Sequence, residues 1–192
     1  STACRIQSSL GCKNAFAFDI SAACAGFVYA LTVANGMILS GQGENVLVVG
    51  AELISRTLDW KDRSTCILFG DGAGAVVLKG TTNQDKGIIS CYLASDGTQG
   101  DILELPSWGE NRTMRMKGNE VFKHAVRNMT DASNKALHAA GMKLDDVDFL
   151  IPHQANIRII KAVAQNLNIP NSKVVSNLER YGNTSSTSIP IA

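Results

Sequence analysis

Ala15-Phe-Ala-Phe-Asp-Ile-Ser-Ala-Ala-Cys24-Ala-Gly-Phe27 is the stretch that decides the fold class. Ala15 to Ile20 read as a short strand. Ala22 to Ser40 read as a helix, with Phe27, Leu31, Ala34 and Ile38 at helical spacing. Cys24 therefore falls in the first helical turn, directly after a strand. A thiol there feels the positive end of the helix dipole, which favours the nucleophilic thiolate. The neighbouring alanines and Gly26 leave room for a substrate to approach.

Strands and helices alternate outward from this point, so the class is α/β. Upstream, Ser1 to Leu10 read as a helix with Ala3, Ile6 and Leu10 on one face. Downstream, Gly41 to Gly43 stop the Cys24 helix. Val46 to Val49 read as a strand buried on both faces. Asp59 to Arg63 form a charged loop, and Cys66 to Phe69 and Ala75 to Leu78 read as strands. Gly80 to Lys86 are polar and turn-like, which sets a boundary between 1–84 and 85–192. Gly87 to Leu93 open a further strand, and Thr98 to Thr113 read as an irregular surface loop. Gly118 to Ala140 form an amphipathic helix with Val121, Phe122, Ala125, Val126, Met129, Ser133, Ala136 and Leu137 on its inner stripe. Then come a strand at Asp148–Ile151, a helix at Asn156–Leu167, a strand at Val174–Leu178, a loop at Glu179–Asn183 and a helix opening at Thr184.

The cluster Gly70-Asp-Gly-Ala-Gly74 invites a dinucleotide-loop reading. That fingerprint needs a helix after it, and Ala-Val-Val-Leu follows instead. The expectation is a tight turn between antiparallel strands, with glycines supplying unusual backbone angles.

Composition narrows the function classes. The chain has 192 residues, 45% hydrophobic and 18% charged, with net charge +1. No strong nucleic-acid or membrane field follows from that balance. No apolar run approaches the roughly 20 residues of a membrane span, and no secretory signal is visible. Five cysteines without a Cys-x-x-Cys pair suggest neither a disulfide framework nor a zinc site. A reducing, cytoplasmic location is expected. Cys4, Cys12, Cys66 and Cys91 read as small buried hydrophobes.

Two further residues stand out. His153 follows Pro152 at a strand end and precedes a helix, an exposed edge rather than a core position. Asn183 lies in Tyr181-Gly-Asn-Thr-Ser185; read alone, it is a turn or capping asparagine. His124 and His138 lie within a helix and read as ordinary boundary residues. Cys24, His153 and Asn183 each sit at or just past the end of an expected strand, the edge where α/β sheets build sites. A cysteine, a histidine and an amide together suit acyl transfer.

Five segments occur in order: Asp19-Ile-Ser-Ala-Ala-Cys-Ala-Gly-Phe27, Phe69-Gly-Asp-Gly-Ala-Gly74, Gly118-Asn-Glu-Val-Phe-Lys123, Pro152-His-Gln-Ala-Asn-Ile-Arg158 and Arg180-Tyr-Gly-Asn-Thr-Ser185. Together they resemble the β-ketoacyl-acyl-carrier-protein synthase III family over essentially the whole chain. The resemblance implies a thiolase-like fold, two similar halves in a layered αβαβα arrangement. These residues would hold the latter part of the first half (1–84) and most of the second (85–192). Family members extend past both ends, so the chain is expected to be a piece of a longer polypeptide. An adenine-stacking tryptophan and a glycine-rich loop would lie outside it.

The reaction the resemblance implies initiates type II fatty acid synthesis. It is a decarboxylating Claisen condensation of acetyl-CoA with malonyl-acyl carrier protein. Cys24 would carry the acetyl group, with its own N–H as an oxyanion donor, and His153 and Asn183 would stabilise the enolate. No metal or redox cofactor is implied; the coenzyme A thioester is a substrate. Arg63, Asn119, Phe122, Asn156 and Arg158 match coenzyme A or pantetheine contacts. Lys123, Gln154, Ala155, Asn156, Ile157, Arg158 and Lys161 match the carrier-protein face. Gln165 and Asn166 stand where the family often has lysines, which weakens or shifts that basic patch. A homodimer through Phe16 to Ile20 is implied. The alternatives are a polyketide or alkylquinolone starter enzyme of the same fold, an inactive fragment, or a thiol hydrolase sharing Cys, His and Asn.

Overall fold

In the computed structural model, which describes residues 1–83, 86–106, 108–109 and 112–192, the run Val46–Val49 lies in β1 (Asn45–Glu52). β1 pairs antiparallel with β2 (Gly72–Lys79), in a register that sets Val48 opposite Val76, Gly50 opposite Gly74 and Glu52 opposite Gly72. β1 is not covered on both faces. Val48 and Gly50 are buried, whereas Leu47 stays 42% exposed. The covered face meets α2 (Gly26–Leu39), where Phe27, Ala34 and Val48 form a core flanked by Ala30, Leu31, Val46, Leu78 and Ile189. Gly41, at φ +73°, ends α2 in the left-handed conformation that glycine adopts without strain.

The glycine cluster is not a turn. Gly72 already pairs with Glu52, and Gly72 and Gly74 belong to β2. Neither has a positive φ; their value is the absence of a side chain. A Cβ on Gly72 would sit 2.8 Å from Ile191 Cδ1, and one on Gly74 would sit 2.9 Å from Pro190 Cγ. The strand is bare so that the segment 184–191 can lie directly on it.

A second core is helical. α3 (Gly118–Ala139) and α4 (Ile157–Asn166) pack through the predicted stripe. Ile159, Val163, Leu167 and Ile169 are buried against Phe122, Ala125, Val126 and Met129. Each such side chain contributes about 1.5–3 kcal/mol of burial energy. Asn156 caps α4, its side chain accepting from Arg158 N–H at 2.8 Å. Asn168, at φ +51°, ends it. The helix read at the start of the chain is α1 (Thr2–Ser9); the Asp19 carboxylate accepts from Thr2 and Ala3 N–H at its N-terminus.

Several expected strands are not strands. Ala15–Ile20 and Gly87–Leu93 have no ladder partner among the described residues. Cys66–Leu68 lie in turns, with Cys66 N–H donating to Asp62 C=O, and only Phe69 pairs, in a parallel bridge to Asn183. Asp148–Ile151 and Val174–Leu178 reduce to one parallel bridge, Leu150 to Val174, and α5 (Leu178–Tyr181) is a short helix rather than strand and loop. Apolar alternation marks an extended backbone, but a strand also needs a neighbour to take its hydrogen bonds. Within the expected Thr98–Thr113 loop, Leu103–Glu104 form a short strand that pairs antiparallel with Arg115–Met116 just past it. The expected boundary at 84/85 falls outside the described residues, as do Ser107, Glu110 and Asn111 of that loop.

Candidate active site

The chain enters α2 through a distorted turn. Ala23 adopts φ +44°, unusual for a residue with a side chain. Cys24 then sits in a single 3-10 turn, Ala23–Ala25, ahead of α2 rather than inside it as expected. Against this turn packs a second one, Ser185–Thr187, in which Ser185 also has a positive φ, +53°.

Ser185 joins the three candidate residues. Its hydroxyl donates to Cys24 Sγ at 3.7 Å. Its N–H donates to Asn183 Oδ1 at 2.8 Å, and its backbone also interacts with the His153 imidazole. Asn183 is itself pinned by main-chain bonds: its N–H donates to Leu68 C=O at 2.8 Å, and its C=O accepts from Gly70 N–H at 2.9 Å. Gly70 has to be glycine here, since a Cβ would lie 2.3 Å from Tyr181 O. With Oδ1 committed to Ser185, Asn183 presents its amide N–H groups as free donors.

His153 is braced from behind. Its Nδ1 lies 2.7 Å from Ser188 Oγ. Gln154, fully buried, donates to Pro152 C=O at 2.8 Å and Val175 C=O at 3.2 Å, and accepts from Asn177 N–H at 3.1 Å. The histidine is not at an exposed edge: burial pushes its pKa from 6.5 down to about 4, against the opposing effect of the Ser185 backbone. It is a neutral imidazole in the physiological range.

The thiol does not follow the helix-dipole expectation. Burial pushes the Cys24 pKa up, and the negative charge of Glu52 adds to the rise, while the Ser185 hydroxyl pulls it down. Removing a thiolate from water here outweighs the partial charge at a helix end. Glu52 is held beside the site, accepting from Ser186 Oγ at 2.5 Å.

Two family models match the chain: 3-oxoacyl-[acyl-carrier-protein] synthase III over residues 18–97, and the C-terminal part of the same synthase over 137–192. The β-ketoacyl-[acyl-carrier-protein] synthase III of Aquifex aeolicus is 52% identical over all of this chain. That of Cereibacter sphaeroides is 50% identical. The chain belongs to the synthase III family. It spans 61% and 62% of the length of those two relatives. Among solved structures, the Aquifex aeolicus synthase III superposes with TM-score 0.95 at 50% identity, and the Pseudomonas aeruginosa enzyme with TM-score 0.96 at 44%. Both cover the whole of this chain and 61% of their own. The α/β fold is thus the thiolase-like fold of the synthase III enzymes.

The remaining residues that match the synthase III motifs fall outside the Ser185 cluster. Arg63 is exposed on the 59–65 turn, and Asn119 is exposed in the first turn of α3. Phe122 and Arg158 meet across α3 and α4, the guanidinium 5.4 Å from the ring centre. Lys123 pairs with Glu120 at 3.2 Å. Ile157, Arg158 and Lys161 are exposed on α4, while Ala155 and Asn156 are partly covered. Gln154 is a correction: a side chain with no exposed surface and three internal hydrogen bonds cannot contact a carrier protein. Ser185, Ser188 and Glu52 also belong to the site. A signal for the serines was present, because Thr184-Ser-Ser-Thr-Ser188 is five hydroxyl residues in succession after Asn183.

Proposed function

We propose that the chain carries the reacting centre of a β-ketoacyl-acyl-carrier-protein synthase III. It condenses acetyl-CoA with malonyl-acyl carrier protein and so starts type II fatty acid synthesis. The observation that carries this reading is the convergence of Cys24, His153 and Asn183 on Ser185, in a chain 52% identical to a relative named for that synthase activity.

The Cys24 thiolate attacks the thioester carbonyl of acetyl-CoA, and the coenzyme A thiolate leaves and takes up a proton. The Cys24 N–H holds the oxyanion of the intermediate. Malonyl-acyl carrier protein then loses carbon dioxide. The electron pair of the broken carbon–carbon bond forms an enolate whose oxygen accepts from neutral His153 and from the Asn183 amide. The enolate carbon attacks the acetyl carbonyl and expels Cys24, giving acetoacetyl-acyl carrier protein. The proton that the Cys24 thiol gives up is the one the departing coenzyme A thiolate takes; burial disfavours the free thiolate.

Arg63, Asn119, Phe122, Asn156 and Arg158 would contact the coenzyme A or pantetheine arm. Lys123, Arg158 and Lys161, exposed near one another's helices, would meet an acidic carrier protein, with Ala155, Asn156 and Ile157 beside them. A homodimer through Phe16 to Ile20 is supported by the exposure of Phe16, Phe18 and Ile20. The reaction needs no metal or redox group, and it suits the cytoplasm; no helix among the described residues is long and apolar enough to cross a membrane.

Incubation with isotopically labelled acetyl-CoA, followed by peptide mass spectrometry, tests the reading. Label on the Cys24 peptide, lost in Cys24→Ser, is expected. Acetyl transfer that survives Cys24→Ser, or peptidase turnover without malonyl-dependent carbon dioxide release, overturns it. A polyketide starter role is the second reading: the priming β-ketosynthase of the R1128 pathway is 38% identical and superposes with TM-score 0.89. Profiling a panel of acyl-CoA donors separates the two.

A further inference from the structure

Ser188 is 1% exposed and opens the short helix α6 (Ser188–Ile191). Its hydroxyl oxygen accepts from Gln154 N–H at 3.1 Å and lies 2.7 Å from His153 Nδ1. A hydroxyl carries one proton, and a buried one must be given to an acceptor. The Gln154 N–H is a donor and cannot take it. Among the described residues, the acceptor within reach is His153 Nδ1. That nitrogen therefore bears a lone pair, and in a neutral ring the proton sits on Nε2.

We propose that Ser188 is a positioning residue that fixes the His153 imidazole in its Nε2–H form and so makes the ring a hydrogen-bond donor toward the reaction space. The catalytic purpose of this arrangement rests on the condensation reading, in which His153 donates to the enolate oxygen; the tautomer itself does not. Without Ser188 nothing holds the ring proton on Nε2, and the Ser185 backbone, which already interacts with the imidazole, is the group that would compete for it. The ring would then offer the enolate a lone pair, which repels it. A serine also suits the space, since the same oxygen satisfies the Gln154 N–H and thereby ties the residue after His153 to α6.

Ring-15N-histidine labelling of the 192-residue chain at pH 7 tests this. The His153 signals are identified by their loss in His153→Gln, which leaves those of His124 and His138. The expected native spectrum has Nδ1 at the unprotonated and Nε2 at the protonated position. Ser188→Ala should give averaged signals from mixed tautomers, and Ser188→Thr should restore the native pattern. Ser188→Cys, which keeps the volume with a weaker donor, asks the same question should the alanine variant not fold; the Nε2–H population should fall. A native ring protonated on Nδ1, or an unchanged tautomer in Ser188→Ala or Ser188→Cys, overturns the proposal. In the malonyl decarboxylation assay, Ser188→Ala should lower kcat by about 10-fold or more, less than the roughly 10²–10³-fold expected on losing a donor outright, and leave KM nearly unchanged. The expected spectra together with an unchanged kcat would leave the tautomer assignment standing and overturn its catalytic purpose, whereas no malonyl decarboxylation by the native chain would count against the condensation reading.

Discussion

Two segments meet at Cys24, and they invert the usual partition of residue types. Asn183 to Ser188 is entirely polar and almost wholly buried, with Thr187 at 0%, Ser188 and Thr184 at 1% and the others no higher than 8% exposed. Phe16 to Ile20, which leads into Cys24 on the other side, exposes Phe16 at 62%, Phe18 at 46% and Ile20 at 37%. Hydrophobicity alone would reverse these positions. The buried segment tolerates its polarity because most of its hydroxyls and amides have partners: Cys24, Glu52, His153 and Thr184. The apolar segment is held at one end by Asp19, whose carboxylate bonds Thr2 and Ala3 N–H. Its aromatic face has no cover among the described residues, as an interface surface would.

The contrast can be broken most severely at Gly70. Gly70→Ala drives a Cβ to 2.3 Å from Tyr181 O, a backbone atom that cannot turn aside. A loss of about 3 kcal/mol or more in chemical denaturation is expected. A loss under about 1 kcal/mol would mean that Asn183 is not held as described.

Acid is the next lever. The folded ring of His153 titrates near 4 against an ordinary 6.5. Between those values the unfolded chain takes up a proton that the fold refuses. The stability from this group is therefore complete above pH 6.5 and is lost as pH falls toward 4, by about 3 kcal/mol. Urea titrations across that window should show the slope, and His153→Gln should flatten it. An unchanged slope in the variant would place the titrating group elsewhere.

Glu52 tests the polar segment from its other end. Glu52→Ala strands the Ser186 hydroxyl and should cost about 1–3 kcal/mol. Glu52→Gln keeps an acceptor and removes the charge that raises the Cys24 pKa. The pH midpoint of iodoacetamide alkylation at Cys24 should therefore move down. A midpoint that moves up would contradict the electrostatic account.

The smallest effect is expected on the apolar side. Phe16→Ser should change monomer stability within about 0.5 kcal/mol, since the ring is mostly exposed. In sedimentation velocity the same variant should weaken self-association. Unchanged self-association would remove this face from the dimer reading.

The helices were legible in the text of the chain. The stripe Phe122, Ala125, Val126 and Met129 packs on Ile159 and Val163 as its spacing predicts, because helical periodicity is written within a few turns. The strands were legible only as extended backbone. Cys66–Leu68 and Val174–Leu178 carry strand-like residues yet pair at single positions or not at all, since pairing depends on what lies beside them. Motif order likewise singled out Cys24, His153 and Asn183, but not what surrounds them. The glycines of 70–74 were visible, whereas their purpose, a smooth strand under residues 184–191, was not.

The sequence by itself determined the α/β class, the long helices, the family, and the cysteine, histidine and asparagine that stand at element junctions. Those are properties of neighbouring residues and of ordered motifs. The tertiary structure alone decided that Ser185 joins Cys24 across 161 positions of chain, that Ser188 backs His153, that Gln154 is internal and that the thiol is raised rather than lowered. Desolvation and long-range hydrogen bonds depend on which distant atoms replace water around a group, and no local pattern encodes that.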